Sequence, residues 1–171
     1  MLATSLVVSA LLAGTAALSW ASEDGSTWDR YQIGTLAGVV KQVSDIGNAH
    51  DDGLSTALES DYPTKVRVQY TGEKRKIPAP RKTNIDTCLK ASGVPDQAAG
   101  LFQNEILFKE GNTTYWIPVQ NHEMDAYQNE LKPGQMTDLY VVLVGLEHKS
   151  PKRFDCYFLA NDFEPVHGEA R

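Results

Sequence analysis

Apolar and polar positions follow two different periods along this chain, and the changes of period mark its elements. In residues 64–70 the alternation is strict, with Val66, Val68 and Tyr70 on one side and Lys65, Arg67 and Gln69 on the other. Successive side chains of an extended strand point to opposite faces, so this segment is predicted to be a half-buried strand. Phe102, Ile106 and Phe108 face one way in a second strand, and Gly111-Asn112 turns the chain into Tyr115, Ile117 and Val119, which predicts a hairpin. Pro118 has no N–H to give to a ladder, which puts the returning strand at an edge or in a bulge. Residues 139–146 are almost continuously apolar, as a central strand covered on both faces would be. Residues 154–160 form another such run, with Phe154, Cys156 and Phe158 on one inward face. Nearer the start, Val and Leu in residues 33–43, with Gly34 and Gly38 between them, predict a strongly bent first strand. A polar loop over residues 44–60 follows it.

Two stretches change to the helical period. Thr83 is a candidate N-cap with Asp86 three residues on; Ile85, Cys88 and Leu89 share a face, and Gly93 and Pro95 stop the helix. Over residues 121–131, Asn121 is the candidate cap, and Glu123 and Asp125 suit the positive N-terminal end. Met124, Tyr127 and Leu131 share a face there before Pro133-Gly134 ends the segment. The expected fold is therefore mostly β with two short helices.

This order of strands, hairpin, helix and two closing strands resembles the OB-fold, a small five-stranded barrel with a helix between its third and fourth strands. The run LKPGQMTDLYVVLVG at residues 131–145, followed by FLANDF at 158–163, is similar to the way such domains finish. The resemblance implies an OB-like barrel of five to six strands, with the Thr83 helix as an insertion. It also implies ligand contacts across the second and third strands and the neighbouring loops, where OB-folds take oligonucleotides or oligosaccharides.

Ahead of all this, residues 1–21 carry no charged side chain and end in the small-x-small triplet Ser19-Trp20-Ala21. A signal peptidase pocket admits only small side chains before its cut, so these residues read as a signal peptide helix cleaved after Ala21. Met1-Leu2-Ala3-Thr4 lacks the usual Lys or Arg, and residues 2–20 are nearly long enough to span a bilayer, so a retained anchor is the alternative. Removing 21 of the 171 residues leaves 150, residues 22–171, the size of a single globular domain. The expected address is periplasmic or secreted. Two cysteines, Cys88 and Cys156, lie in the exported part. An even number in an oxidising compartment predicts one disulfide, two buried free thiols being the alternative.

The net charge of −6 argues against general nucleic-acid binding, yet the charge is uneven. Residues 65–82 hold seven of the sixteen basic side chains, Lys65, Arg67, Lys74, Arg75, Lys76, Arg81 and Lys82, against the single acid Glu73. Such a run can hold phosphate or carboxylate groups by charge-assisted hydrogen bonds, or it can simply keep a strand face solvated. Trp116 falls opposite Tyr115 and Ile117, points away from the predicted core, and offers a flat ring for stacking. His50-Asp51-Asp52 reads as a polar turn, and His122-Glu123-Met124-Asp125 lacks the second His that a zinc helix supplies four residues after the first. His148 and His167 fall in a loop and near the tail, and Asn112-Thr113-Thr114 is a glycosylation sequon. No cofactor and no metal site is expected. The leading expectation is an exported, non-enzymatic binding module that engages an anionic ligand or envelope component through residues 65–82 and Trp116. A scaffold subunit of an envelope or secretion assembly, using residues 44–60 or an edge near Pro118, and a hydrolase with separated His and carboxylates are the alternatives.

Overall fold

The computed structural model describes residues 25–47, 54–56, 63–150 and 153–166. After a 3-10 turn at Gly25–Arg30 the elements are β1 (Gln32–Gly34), α1 (Leu36–Gly47), β2 (Leu54–Thr56), β3 (Thr64–Lys76), α2 (Ala79–Ala91) and α3 (Asp96–Ala99). They continue with β4 (Asn104–Glu110), β5 (Thr113–Val119), a second 3-10 turn at Asn121–Glu123, α4 (Met124–Glu130), β6 (Met136–Ser150) and β7 (Arg153–Pro165). The fold is mostly β. The strands form one mixed sheet in the order β1-β3-β4-β5-β7-β6-β2, and a further pairing of β3 with β6 joins β3, β4, β5, β7 and β6 into a ring. Closure is uneven, because β5 and β7 meet in parallel at one registered pair, Val119 with Ala160. The expected signal peptide helix, residues 1–21, lies outside the described residues.

The ring has two cores because two of its strands are covered on both sides. Along β6, Leu139, Val141 and Leu143 point into the ring, while Tyr140, Val142 and Val144 point out under α2 and the 3-10 turn at Gly25–Arg30. All six are buried, which is why the sequence there is a continuous apolar run. The β7 strand alternates the same way, with Phe158 and Ala160 inside and Tyr157 and Leu159 outside. The outer cover is the face of α2 carrying Ile85, Cys88 and Leu89, as its period predicted. Tyr127 and Leu131, after β5, reach the inner core with Met124 packed beside them.

The cysteines fall on opposite sides of this layer. Cys88 lies in the outer core, Cys156 packs against the inner one, and both thiols are free. The expected disulfide is therefore corrected: an even count of cysteines says nothing about which face of a sheet each occupies.

Residues 33–43 also differ from expectation. They contain only the end of a short strand, Gln32–Gly34, and then the first turns of α1. Leu36, Val39 and Val43 are buried in the inner core at i, i+3 and i+7, the spacing of one helical face. Thr35 Oγ1 accepts the Gly38 N–H at 2.9 Å. Both oxygens of Glu110, at the end of β4, accept the Leu36 and Ala37 N–H groups at 2.8 and 2.9 Å. Four orphan donors begin every helix, and here three are met by side chains. Thr83 is likewise not a cap: α2 begins at Ala79, with a proline in its first turn, and Thr83 Oγ1 donates back to the Ala79 carbonyl at 3.0 Å. Asn121 makes no cap bond either, its side chain instead tying Gly100, Gln103 and Asn104 together.

β3 does not turn at Gly72 but bulges there. Tyr70 pairs with Phe108 and Lys74 with Ile106, so four steps along β3 match two along β4. Before the bulge β3 also pairs with β6 through residues 64–69, and the extra residues let it bend from one neighbour to the other. Gly72 has φ +85°, and a Cβ there would stand 2.7 Å from Pro133 Cγ.

Two outcomes follow. Gly72→Ala is expected to cost about 1–3 kcal/mol in urea unfolding, against about 1 kcal/mol for Gly111→Ala, whose φ of +57° comes with open space. Equal costs at the two positions would remove the Pro133 contact from the account of the bulge. The unreduced protein, denatured and alkylated, is expected to take up label at both Cys88 and Cys156, and its thermal midpoint is expected not to move on adding reductant.

Candidate functional site

The outer faces of β3, β4 and β5 build a row of side chains across the ring. Cross-strand register places Arg75 opposite Glu105 and Glu105 opposite Pro118, with Leu107 and Trp116 facing each other in the next row. Glu105 is fully buried, where an isolated carboxylate would be very costly. It is held instead by two arginines: Oε1 accepts from Arg75 Nε at 2.7 Å and Oε2 from Arg81 Nε at 3.0 Å. Arg81 arrives from the first turn of α2, so the helix that covers the outer core also delivers the second guanidinium. Its Nη2 donates to the Trp116 carbonyl at 2.9 Å. Arg75 lies 3.9 Å from the centre of the Trp116 ring, a cation–π contact that fixes the plane of both groups.

The two guanidinium groups face a groove of about 370 Å³ between β5 and β7. It exists because no ladder joins those strands ahead of the Val119–Ala160 pair. Trp116 and Thr114 line the β5 side, Asp155, Cys156 and Phe158 the β7 side, and Val40 of α1 approaches from below. Burial, and secondarily Asp155, pushes the Cys156 thiol up to about 11, so it is protonated at neutral pH and a poor nucleophile.

The rest of the basic run is dispersed. Lys65 and Arg67 sit together on the outer face where β3 meets β6. Arg67 makes a bidentate pair with Asp138, at 2.7 and 3.0 Å, and Lys65 reaches Glu164 at 2.6 Å and the Tyr140 hydroxyl at 2.9 Å. The Glu164 and Tyr140 hydrogen bonds raise Lys65 above its ordinary pKa. Lys74 donates to Gln128 of α4, and Lys82 pairs with Asp86 one turn along α2. Lys76 is exposed. The structure thus brings Arg75, Arg81 and Trp116 together and leaves the other five predicted basic residues outside that cluster. The acids that organise the region, Glu105, Asp138 and Glu164, were not foreseen, though the alternation of β4 puts Glu105 on the face opposite Ile106 and Phe108.

Of the histidine motifs, only the one at His122 lies among the described residues. His122 is exposed with its Nε2 3.0 Å from Glu123 Oε1, while His50, Asp51, Asp52 and His167 lie outside the described residues. Among the described residues no cluster of three or more His, Cys, Asp or Glu could hold a metal ion, and no helix is long and apolar enough to cross a membrane. No protein-family model matches the chain, and no curated protein is significantly similar to it.

The ion pairs set a pH dependence. The hydrogen bond from Arg67 holds Asp138 below the usual 3.8, and Lys65 and Tyr140 hold Glu164 below 4.5. Their contributions to stability are complete above those ordinary values and are lost as pH falls through the lower folded ones. Asp162, raised by burial and by nearby Glu123, acts in the opposite sense, because its penalty grows as pH rises through 3.8. Asp138→Asn is therefore expected to lose stability less steeply than the parent chain below about pH 4 in urea titrations. An identical acid limb in the two proteins would show that the Arg67–Asp138 pair contributes nothing.

Proposed function

We propose that the chain is an exported, non-enzymatic binding module built on an OB-like barrel, and that it engages an anionic group through the groove between β5 and β7. The uncharged apolar segment ending in Ser19-Trp20-Ala21 supports export. The OB-like reading is supported by the ring order β3-β4-β5-β7-β6, by α4 between the third and fourth ring strands, and by the parallel contact of the third with the fifth. Binding rests on one observation above all: a single buried carboxylate holds two guanidinium groups side by side on the wall of a groove. Each arginine is held to Glu105 through its Nε, Arg81 Nη2 is further bonded to the Trp116 carbonyl, and both side chains line the groove, so a pre-set pair of guanidinium groups takes an oxyanion with little ordering cost. The scaffold alternative would use residues 44–60, most of which lie outside the described residues, or an edge of β5 near Pro118. Pro118 has no N–H there and the Trp116 carbonyl is already bonded to Arg81, so that edge is poorly suited to strand addition.

The test is a thermal-shift series with citrate, inorganic phosphate and heparin as anionic probes. At least one is expected to raise the midpoint by several degrees at about 100 times its Kd, where linkage supplies ~2.7 kcal/mol. The shift should vanish in Arg75→Gln and in the combined Arg75→Gln, Arg81→Gln, Glu105→Gln variant, which removes the charges without orphaning the buried carboxylate. It should survive Arg67→Gln and Lys76→Gln. A shift that depends on Arg67 or Lys76 and ignores Arg75 would overturn the assignment to the groove.

A further inference from the structure

Resting on that assignment, we infer that the groove's ligand is a small amphipathic anion: one oxyanion head, carboxylate or phosphomonoester, on a flat apolar body. Charge is the first reason. Within the basic run Lys65 and Arg67 are matched by Glu164 and Asp138 and Lys82 by Asp86; Lys74, bonded to the neutral Gln128, and the exposed Lys76 do not line the groove, and Arg75 and Arg81, which do, share Glu105. Two guanidinium groups against one carboxylate leave a single net positive charge at this wall, enough for one head group. Across the groove stands Asp155 of β7, so the lining carries both signs of charge. A polyanion finds neither the charge density nor a uniform sign.

The second reason is the lining. Away from the arginines the walls are Val40, Tyr115, Phe154, Phe158 and Cys156, of which Phe158 belongs to the inner core and Val40, Tyr115 and Cys156 pack against it. The groove therefore has a cationic end and an apolar end that reaches down to the core. Its volume of about 370 Å³ lies at the lower end of the range for small-molecule sites, ~300–1,000 Å³. Trp116, fixed by Arg75, adds a planar boundary at the charged end, so a flat body suits the space better than a branched one.

Calorimetric titration of the full exported chain with four probes tests this: 1-naphthoate, 1-naphthyl phosphate, 1-naphthalenemethanol and inorganic pyrophosphate. At least one of the two naphthyl anions is expected to bind at least tenfold more tightly than both the neutral alcohol and pyrophosphate, and the tighter of the two identifies the head group. The same anion should bind at least tenfold more weakly to Arg75→Gln. It should also weaken with Thr114→Glu, which places a carboxylate on an exposed rim position and leaves the cores untouched. Pyrophosphate binding as tightly as the naphthyl anions, and lost in Arg75→Gln, would overturn the amphipathic ligand while keeping the anion groove. Equal binding of the alcohol would overturn the need for the head group. If the probes bind equally to the parent and to Arg75→Gln, or not at all, both this inference and the groove assignment fall.

Discussion

β6 is covered on both faces, and most of the architecture answers to that. Leu139, Val141 and Leu143 find the interior of the ring, but Tyr140, Val142 and Val144 would face water on a bare barrel. Leaving a large apolar side chain exposed forgoes roughly 1.5–3 kcal/mol, so three in a row require a cover. The segment between β3 and β4 provides it: α2 lays Ile85, Cys88 and Leu89 against them, and α3 and Phe102 close the end. The amino-terminal turn and the residue after it add Trp28, tilted against Tyr140 with ring centres 4.6 Å apart, and Tyr31, edge-on to it at 5.2 Å. A bare ring of five strands would leave this surface as an exposed apolar patch.

The candidate site follows from the same cover. The bulge at Gly72 turns the end of β3 away from β6 and along β4, which carries Arg75 beside Glu105. Because α2 must start above that point to reach the outer core, its first turn brings Arg81 to the other carboxylate oxygen. One buried acid then orients two bases, and the gap between β5 and β7 leaves them a space to face. Packing and recognition share the residue Arg81: it satisfies Glu105, holds the Trp116 carbonyl and lies 5.0 Å from the Tyr157 ring centre.

Much of the fold was legible where one period dominates. Strict alternation gave the inner and outer faces of β3, the hairpin of β4 and β5 followed from Gly111-Asn112, and the unbroken run of β6 announced a strand buried on both sides. Residues 33–43 were not legible, since Val39-Val40 and two glycines favour a strand reading. What decides for a helix is the Leu36, Val39 and Val43 spacing together with a cap from Glu110, 74 residues from Leu36 along the chain. The cysteines failed for a related reason, their faces being set by elements that sequence alone does not orient relative to one another. The basic run was visible as a count, but its neutralising acids sit on β4, β6 and β7, so its apparent charge was larger than its effective charge. Only the register of β3 against β4 reveals that Arg75 and Glu105 are partners.

Native-state hydrogen exchange tests the central claim most directly. If the double burial of β6 organises the structure, the amides of Leu139 through Val144 exchange only through global unfolding, with protection equal to the full unfolding free energy and greater than that of β5. Amides in this stretch that exchange by local opening, as fast as those at the β5 edge, would contradict it.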